Sequence, residues 1–417
     1  MKRRFLAFLV CMAVLLASFT GCYSAQDGPL TLSSSQTMQS NSGSATENSV
    51  EIRTYGIPEE NVRANIIYVP SPSTGGFWTC AVFNAKTIQA YDPATRTTYF
   101  PCYQAGCKHT DASCTANFGG VISGFAEYRG NFYAMIYYND ETASAFVTRP
   151  VSGGPLKVLA SWEPENENEE CRCGFYGLSF GKAYLTVSKE TYAMKDGQTE
   201  SVKEEYSKCS LDLETGELVE YMADEDGYLP YMHGVWGDVA VFQDWYADRP
   251  DGTPVKRDGS EDYNFRLYSK NLRTGEEKTI VDVTENFIWT ADPHVSWGQY
   301  TVYQVDRSVY VYDMETQTSK KLFTHEPGWD FYNYMIQDGH VMVIGGTEDT
   351  CRAWAVDIAD GSVIELDTRG GNVVAFGANY ECNGYFAGLK RNSSGDFEQC
   401  YISKEDFYRS NYDGAFR

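Results

Sequence analysis

The sequence predicts an all-β chain folded as a β-propeller of seven four-stranded blades, with six and eight as the neighbouring counts. Three observations predict it. Tyr, Phe and Trp make up 15% of the residues and glycine numbers 37, a bias toward half-buried pleated strands and tight turns. A unit of apolar strand, glycine turn and apolar strand recurs along the chain. A second polar turn and a further strand follow each unit, so that four strands fill roughly 40 to 60 residues, the spacing of propeller blades.

The first residues lie outside that pattern. Lys2, Arg3 and Arg4 precede an apolar run over residues 5–16, and Phe19-Thr20-Gly21-Cys22 follows it. A basic start, a short apolar core and small residues before a cleavage point mark a targeting peptide. The run resembles the lipobox of bacterial lipoproteins, with Phe19 where a smaller aliphatic is usual. That resemblance implies cleavage before Cys22 and lipidation of Cys22, hence an extracytoplasmic protein held to the bacterial cell membrane by lipid. Residues 1–21 are read as the lipoprotein signal peptide, and 22–50 as the lipidated cysteine and a Ser/Thr-rich stalk too poor in apolar residues to fold. Residues 51–417 are read as the propeller. No later run reaches the ~18 to 20 apolar residues with which a helix crosses a bilayer.

The glycine unit is read at Tyr128-Arg129-Gly130-Asn131-Phe132, Phe180-Gly181-Lys182-Ala183-Tyr184, Trp236-Gly237-Asp238-Val239, Trp297-Gly298-Gln299-Tyr300, Asp338-Gly339-His340-Val341 and Asn383-Gly384-Tyr385. Gly76 before Phe77-Trp78 supplies a weaker seventh copy. The second turns stand at Asp92-Pro93-Ala94-Thr95, Ser152-Gly153-Gly154, Glu214-Thr215-Gly216, Arg273-Thr274-Gly275 and Ala359-Asp360-Gly361. Gly and Asp suit them, because one tolerates positive φ and the other closes the turn with its side chain. The last copy runs short after Gln399-Cys400-Tyr401-Ile402, so residues 50–55 are expected to supply its outer strand and close the ring. This arrangement resembles the TolB-like and YWTD-like propellers, above all the propeller lipoproteins of clostridial bacteria, from about residue 52 onward. The likeness implies the fold and assigns no role.

With 57 acidic and 34 basic residues the net charge is −23, and no basic stripe appears, which excludes a nucleic-acid partner. In a propeller, loops from second to third strand share one face with the connections between blades. Insertions at residues 190–204, 247–262, 163–170 and 102–120 are expected to elaborate that face, as binding loops on a rigid scaffold. The sharpest constellation is Cys102-x₄-Cys107-x-His109-x₄-Cys114. Three thiols and an imidazole can close around one tetrahedral ion, so a structural zinc is one reading. A disulfide is the competing one outside the cytoplasm, and free thiols the third. Beyond Cys11 and Cys22, ten cysteines remain, an even number that permits full pairing.

Trp162, Trp245, Tyr246, Trp289, Trp329 and Tyr332 fall near predicted loops and are candidates for a ligand face. Flat rings stack on sugars and anchor interfaces, although in a propeller they also pack between blades. No Gly-x-Ser-x-Gly elbow, no His-Glu-x-x-His and no Walker loop is identified, so the catalytic residues are unassigned. The functional expectation is a membrane-anchored lipoprotein whose propeller is a non-catalytic binding or scaffold module for a protein, peptide or glycan. The alternative is an extracellular hydrolase or lyase acting on carbohydrate or peptide at the central channel. Nothing in the sequence indicates an oligomer.

Overall fold

Where the repeat alternates apolar strands with tight turns, the chain folds as antiparallel sheets. The computed structural model describes residues 52–65, 69–80, 86–110, 113–138, 142–195, 198–224, 229–244, 266–282, 287–288, 296–325, 328, 331–347, 350–368, 380–382, 384–391 and 397–416. Seven sheets form the ring of a seven-bladed propeller. A short strand, β1 (Asn61–Arg63), precedes them. Blade 1 comprises β2 (Val69–Pro70), β3 (Phe77–Cys80), β4 (Ile88–Asp92) and β5 (Thr97–Tyr99). Blade 2 comprises β6 (Val121–Tyr128), β7 (Asn131–Tyr138), β8 (Ala143–Pro150) and β9 (Lys157–Trp162). Blade 3 follows with β10 (Glu169–Ser179), β11 (Lys182–Lys195), β12 (Gln198–Asp212) and β13 (Leu218–Asp224). Blade 4 holds β14 (Tyr231–Trp236), β15 (Val239–Asp244), β16 (Arg266–Asn271) and β17 (Glu277–Val281).

The first strand of blade 5 is in two pieces, β18 (Phe287–Ile288) and β19 (Ser296–Trp297), both paired with β20 (Tyr300–Val305). The blade continues with β21 (Ser308–Asp313) and β22 (Thr318–Thr324). Blade 6 holds β23 (Phe331–Gln337), β24 (His340–Thr347), β25 (Thr350–Asp357) and β26 (Val363–Leu366). Blade 7 holds β27 (Tyr380–Cys382), β28 (Tyr385–Arg391) and β29 (Phe397–Ser403), and a short helix, α1 (Lys404–Tyr408), follows.

All seven glycine units become the hairpin between the first and second strands of a blade. Positive φ at Arg129 and Gly130, Phe180 and Gly181, and Asp338 and Gly339 gives turns whose twist matches that of the flanking strands. Asp92, Asp212, Asn271, Asp313 and Asp357 end the third strands. Each takes on Oδ1 the N–H of the residue two positions ahead, at 2.7 to 3.1 Å, and so closes the second turn. Both turn types lie on one face of the ring, hereafter the turn face.

The core sits between blades. Val302, Val309 and Val311 of blade 5 pack on Tyr334, Ile336, Val341 and Val343 of blade 6, and equivalent clusters join the other neighbours. A strand covered on both sides reads as a continuous apolar run, which is why Phe132 to Ile136 of β7 are all buried. Outer strands β5 and β22 are mostly exposed, as their polar sequences require. Glu127 and Glu381, each three residues before a turn glycine, tie blades together at equivalent positions. Glu127 accepts from the Trp78 indole, Ser71 Oγ (2.9 Å) and Ser73 N (3.0 Å), and Glu381 from Trp297 Nε1 (2.6 Å) and Asp338 N (3.1 Å).

Two expectations are corrected. Residues 52–55 do not extend blade 7, and residues 50 and 51 lie outside the described residues. The outer edge of β29 is met instead by Phe416, whose N–H and C=O bond both polar groups of Tyr401 at 2.8 and 2.7 Å. Tyr55 finds a better site in blade 6: its N–H bonds Asp338 Oδ1 at 2.6 Å and its hydroxyl Asp357 Oδ2 at 2.7 Å. Gly339 makes room for it, since a Cβ there would stand 2.5 Å from the Tyr55 ring. Residues 190–204 are not a loop either. Most of them belong to β11 and β12, which pair from Lys182 opposite Asp212 out to Lys195 opposite Gln198.

Candidate functional site

Propellers bind along the axis or on a face, and here the axis holds part of the chain itself. From Arg53, paired with Asp360, the chain crosses the turn face past Gly298, where Pro58 is 3.3 Å from the position of an added Cβ. Glu60 then binds Arg129 and the Tyr128 hydroxyl, both at 2.7 Å. β1 pairs with the innermost strand of blade 3, Asn61 opposite Ser179 and Arg63 opposite Gly177. The Asn61 amide donates to Val235 O of blade 4 and Gly298 O of blade 5, and Asn65 bridges Phe125 of blade 2. Four blades therefore grip one segment from inside the ring. Gly177 permits it, because a Cβ there would lie 2.6 Å from Val62 O.

The cysteine segment was expected among the connections of one face, and the structure puts it elsewhere. β5 pairs with β4 as far as Tyr99 opposite Ala90, after which the chain leaves the sheet. It returns to the same edge of β4, where Ile88 N donates to Ala116 O at 3.0 Å and Phe118 N to Lys86 O at 2.7 Å. The segment is thus an excursion within the outer strand of blade 1, on the rim. Arg149 of β8, buried in blade 2, fastens it by donating to the carbonyls of Cys114 (3.0 Å), Asn117 (3.2 Å) and Thr115.

Within that excursion the sulfurs of Cys102, Cys107 and Cys114 and a ring nitrogen of His109 all lie within 4.8 Å of one another. His109 Nδ1 is 3.2 Å from Cys114 Sγ, its ring stacks on Phe100 at 4.2 Å, and its φ is 60°. Each thiol faces the N–H of the residue two positions ahead. His109 N is 3.3 Å from Cys107 Sγ and Ala116 N 3.4 Å from Cys114 Sγ, while the Gln104 N–H holds the Cys102 thiol down at about 6. Burial pushes the Cys114 thiol up. Aimed N–H dipoles favour thiolate, the form a metal takes. These four residues can hold one cation of the zinc type, with every protein position of a tetrahedron supplied. Among the described residues no disulfide joins Cys382 to Cys400, or Cys171 or Cys173 to Cys209, the pairings that the sequence permits within one blade.

Of the aromatic candidates, Trp162 ends β9 half-buried and packs on the cluster of Ala126, Tyr133 and Phe146, an interblade role. Trp245, Tyr246, Trp289 and Trp329 lie outside the described residues, as do Cys22 and the insertion at 247–262. Tyr332 lies on β23 opposite Gly345. Tyr99 and Tyr103, which the sequence reading passed over, are the exposed rings beside the cysteine segment, at 41% and 73%. Their position in Tyr99-Phe100-Pro101-Cys102-Tyr103 was the available signal.

Contrary to the sequence reading, the chain does hold one Gly-x-Ser-x-Gly string, Gly177-Leu178-Ser179-Phe180-Gly181, but it joins two strands, β10 and β11. Ser179 is fully buried and accepts the Gly237 N–H at 3.1 Å. His233, His325 and His340 are buried as well. His340 Nδ1 lies 2.6 Å from Asp338 O and 3.1 Å from the Tyr408 hydroxyl, inside a cluster that latches both chain ends to blade 6. At its centre the Lys404 ammonium donates to Asp338 (2.7 Å), Glu381 (2.8 Å) and Tyr55 O (2.9 Å). These partners leave it no free ligand position, and its role is structural.

No family model matches the chain, and no curated protein matches it. Solved structures resemble it in part. A puromycin hydrolase S511A mutant complexed with PGG is 11% identical, with a TM-score of 0.45 over 86% of this chain and 56% of that one. An acylaminoacyl peptidase of Pyrococcus horikoshii is 10% identical, with a TM-score of 0.44 over 87% and 55%. TolB from Acinetobacter baumannii is 14% identical, with a TM-score of 0.30 over 79% and 74%. The chain spans little more than half the length of the hydrolase and the peptidase.

Proposed function

We propose that the protein is a lipid-anchored, extracytoplasmic propeller that binds a protein, peptide or glycan without transforming it, with a structural zinc at Cys102, Cys107, His109 and Cys114. The observation that carries this reading is the chain segment bound inside the ring. A hydrolase or lyase working at the central channel needs room there for substrate and polar groups converging from several blades. Residues 58–65 occupy that space on the side of blades 2 to 5, and the Asn61 amide donates to Val235 O and Gly298 O. Binding then belongs to the faces and the rim.

The lipid on Cys22 holds the propeller near the membrane through the stalk read at residues 22–50. A Ser/Gly-rich stalk of this length spans roughly 30 Å on average, and the two or three acyl chains usual for lipoproteins make such anchoring durable. A zinc held by all four of these residues would have no position for substrate and would brace the rim.

Two measurements test the proposal. Cells fed an alkyne fatty acid should label the wild type and not Cys22→Ala, and equal labelling of both would remove the anchor. Protein purified without added metal should carry about one zinc per chain, lost in Cys107→Ser and kept in Cys80→Ser. A metal-free wild type that takes up no zinc on titration would remove the brace.

A further inference from the structure

We infer that the rim groove beside the cysteine segment is a binding site for a neutral saccharide. This rests on the recognition reading above and names its ligand class. The groove measures about 420 Å³ and is walled by Tyr99, Phe100, Pro101 and Tyr103 on one side and by Ser73, Thr74, Val151 and Ser152 on the other. That volume lies in the range of small-ligand sites, roughly 300 to 1,000 Å³.

Three features choose the chemistry. No lining residue carries a charge, although the chain as a whole stands at −23. A charged ligand would find no counter-ion there and would lose hydration without return. Second, the exposed rings are held as platforms. Tyr103 lies against Gly153, where an added Cβ would come 3.4 Å from its ring, while most of the ring stays in solvent. Tyr99 stands edge-on to Trp78 at 6.5 Å, and the Trp78 indole N–H is committed to Glu127. Third, the Tyr103 and Ser152 hydroxyls have no hydrogen-bond partner among the described residues. Apolar ring faces beside free hydroxyls match a pyranose, which presents C–H groups on one face and hydroxyls around its edge.

The groove is coupled to the candidate metal. Phe100 stacks on His109, and Cys102 lies between Pro101 and Tyr103, so closing the four ligands on an ion fixes one wall of the groove.

Calorimetry with zinc-loaded protein and cellohexaose, xylohexaose and mannohexaose tests the inference. At least one should bind, and Tyr103→Ala should weaken that binding about tenfold, the scale of one aromatic contact. Because Tyr103 is 73% exposed, its removal should leave zinc content and melting temperature unchanged. Cys107→Ser should lose zinc and saccharide together. Failure of all three sugars to bind, or equal binding by Tyr103→Ala, overturns the site. Tighter binding of hexagalacturonate overturns the neutral class. Chromatography of the mixtures separates the two readings: cleavage products would sink the non-catalytic proposal while leaving the groove in place.

Discussion

His233 shows how one buried side chain links blade packing to solution behaviour. It is 3% exposed, its Nε2 lies 2.7 Å from Gln243 Oε1, and burial pushes its pKa down to about 4. The unfolded chain binds this proton near pH 6.5, the folded chain near 4, so acid favours unfolding. Stability is therefore expected to fall as pH drops from 6.5 to 4, by at most about 3 kcal/mol from this group. Urea unfolding at a series of pH values checks it, and His233→Gln should flatten the slope in that window. Lys404 carries a second expectation at this scale. Its ammonium neutralises Asp338 and Glu381 in the interior, and Lys404→Met should cost about 3 to 5 kcal/mol by leaving buried carboxylates without their cation. Unfolding midpoints would show no such loss if the pair were merely ornamental.

Among the elements, the repeat turns and the long hairpin obey different physics. The turns are fixed by chemistry within four residues, Asp or Asn closing one kind and glycine the other, and each fell where the sequence put it. The segment at 190–204 has the same polar composition as a loop, yet its described residues extend as paired strands, all finding a partner across the hairpin except Val202 at a bulge. Composition reports solvent exposure there and says nothing of hydrogen bonding. Residues 198–204 are exposed and touch no core cluster, so trimming 192–203 to a two-residue turn should shift the melting temperature by no more than about 2 to 4 °C. A larger drop in calorimetry would mean that the hairpin braces blade 3. The cysteine segment lies between these cases. Its ligand types were legible, but its place on the rim depends on Asn117 rejoining β4 beside Thr87, a contact 30 residues apart.

For the whole molecule, the central fact is that the ring closes around its own N-terminal segment. Val62 is 5% exposed among Ala126, Leu178 and Leu185, within the packing between blades 2 and 3. Val62→Asp should cost more than about 4 kcal/mol, as an unpaired charge in a core does, and chemical denaturation measures it. If the variant keeps the wild-type midpoint, the segment merely decorates the channel. The sequence by itself determined the blade count, the turn positions and the excess of buried aromatics, because strand period and turn chemistry are set between near neighbours. Tertiary structure alone decided that residues 58–65 run inside the ring, that Phe416 rather than residue 50 meets the last strand, and that Tyr99 and Tyr103 share a groove. Those outcomes pair residues far apart in the chain, and they follow from which distant groups can satisfy a buried polar atom or fill a space between blades.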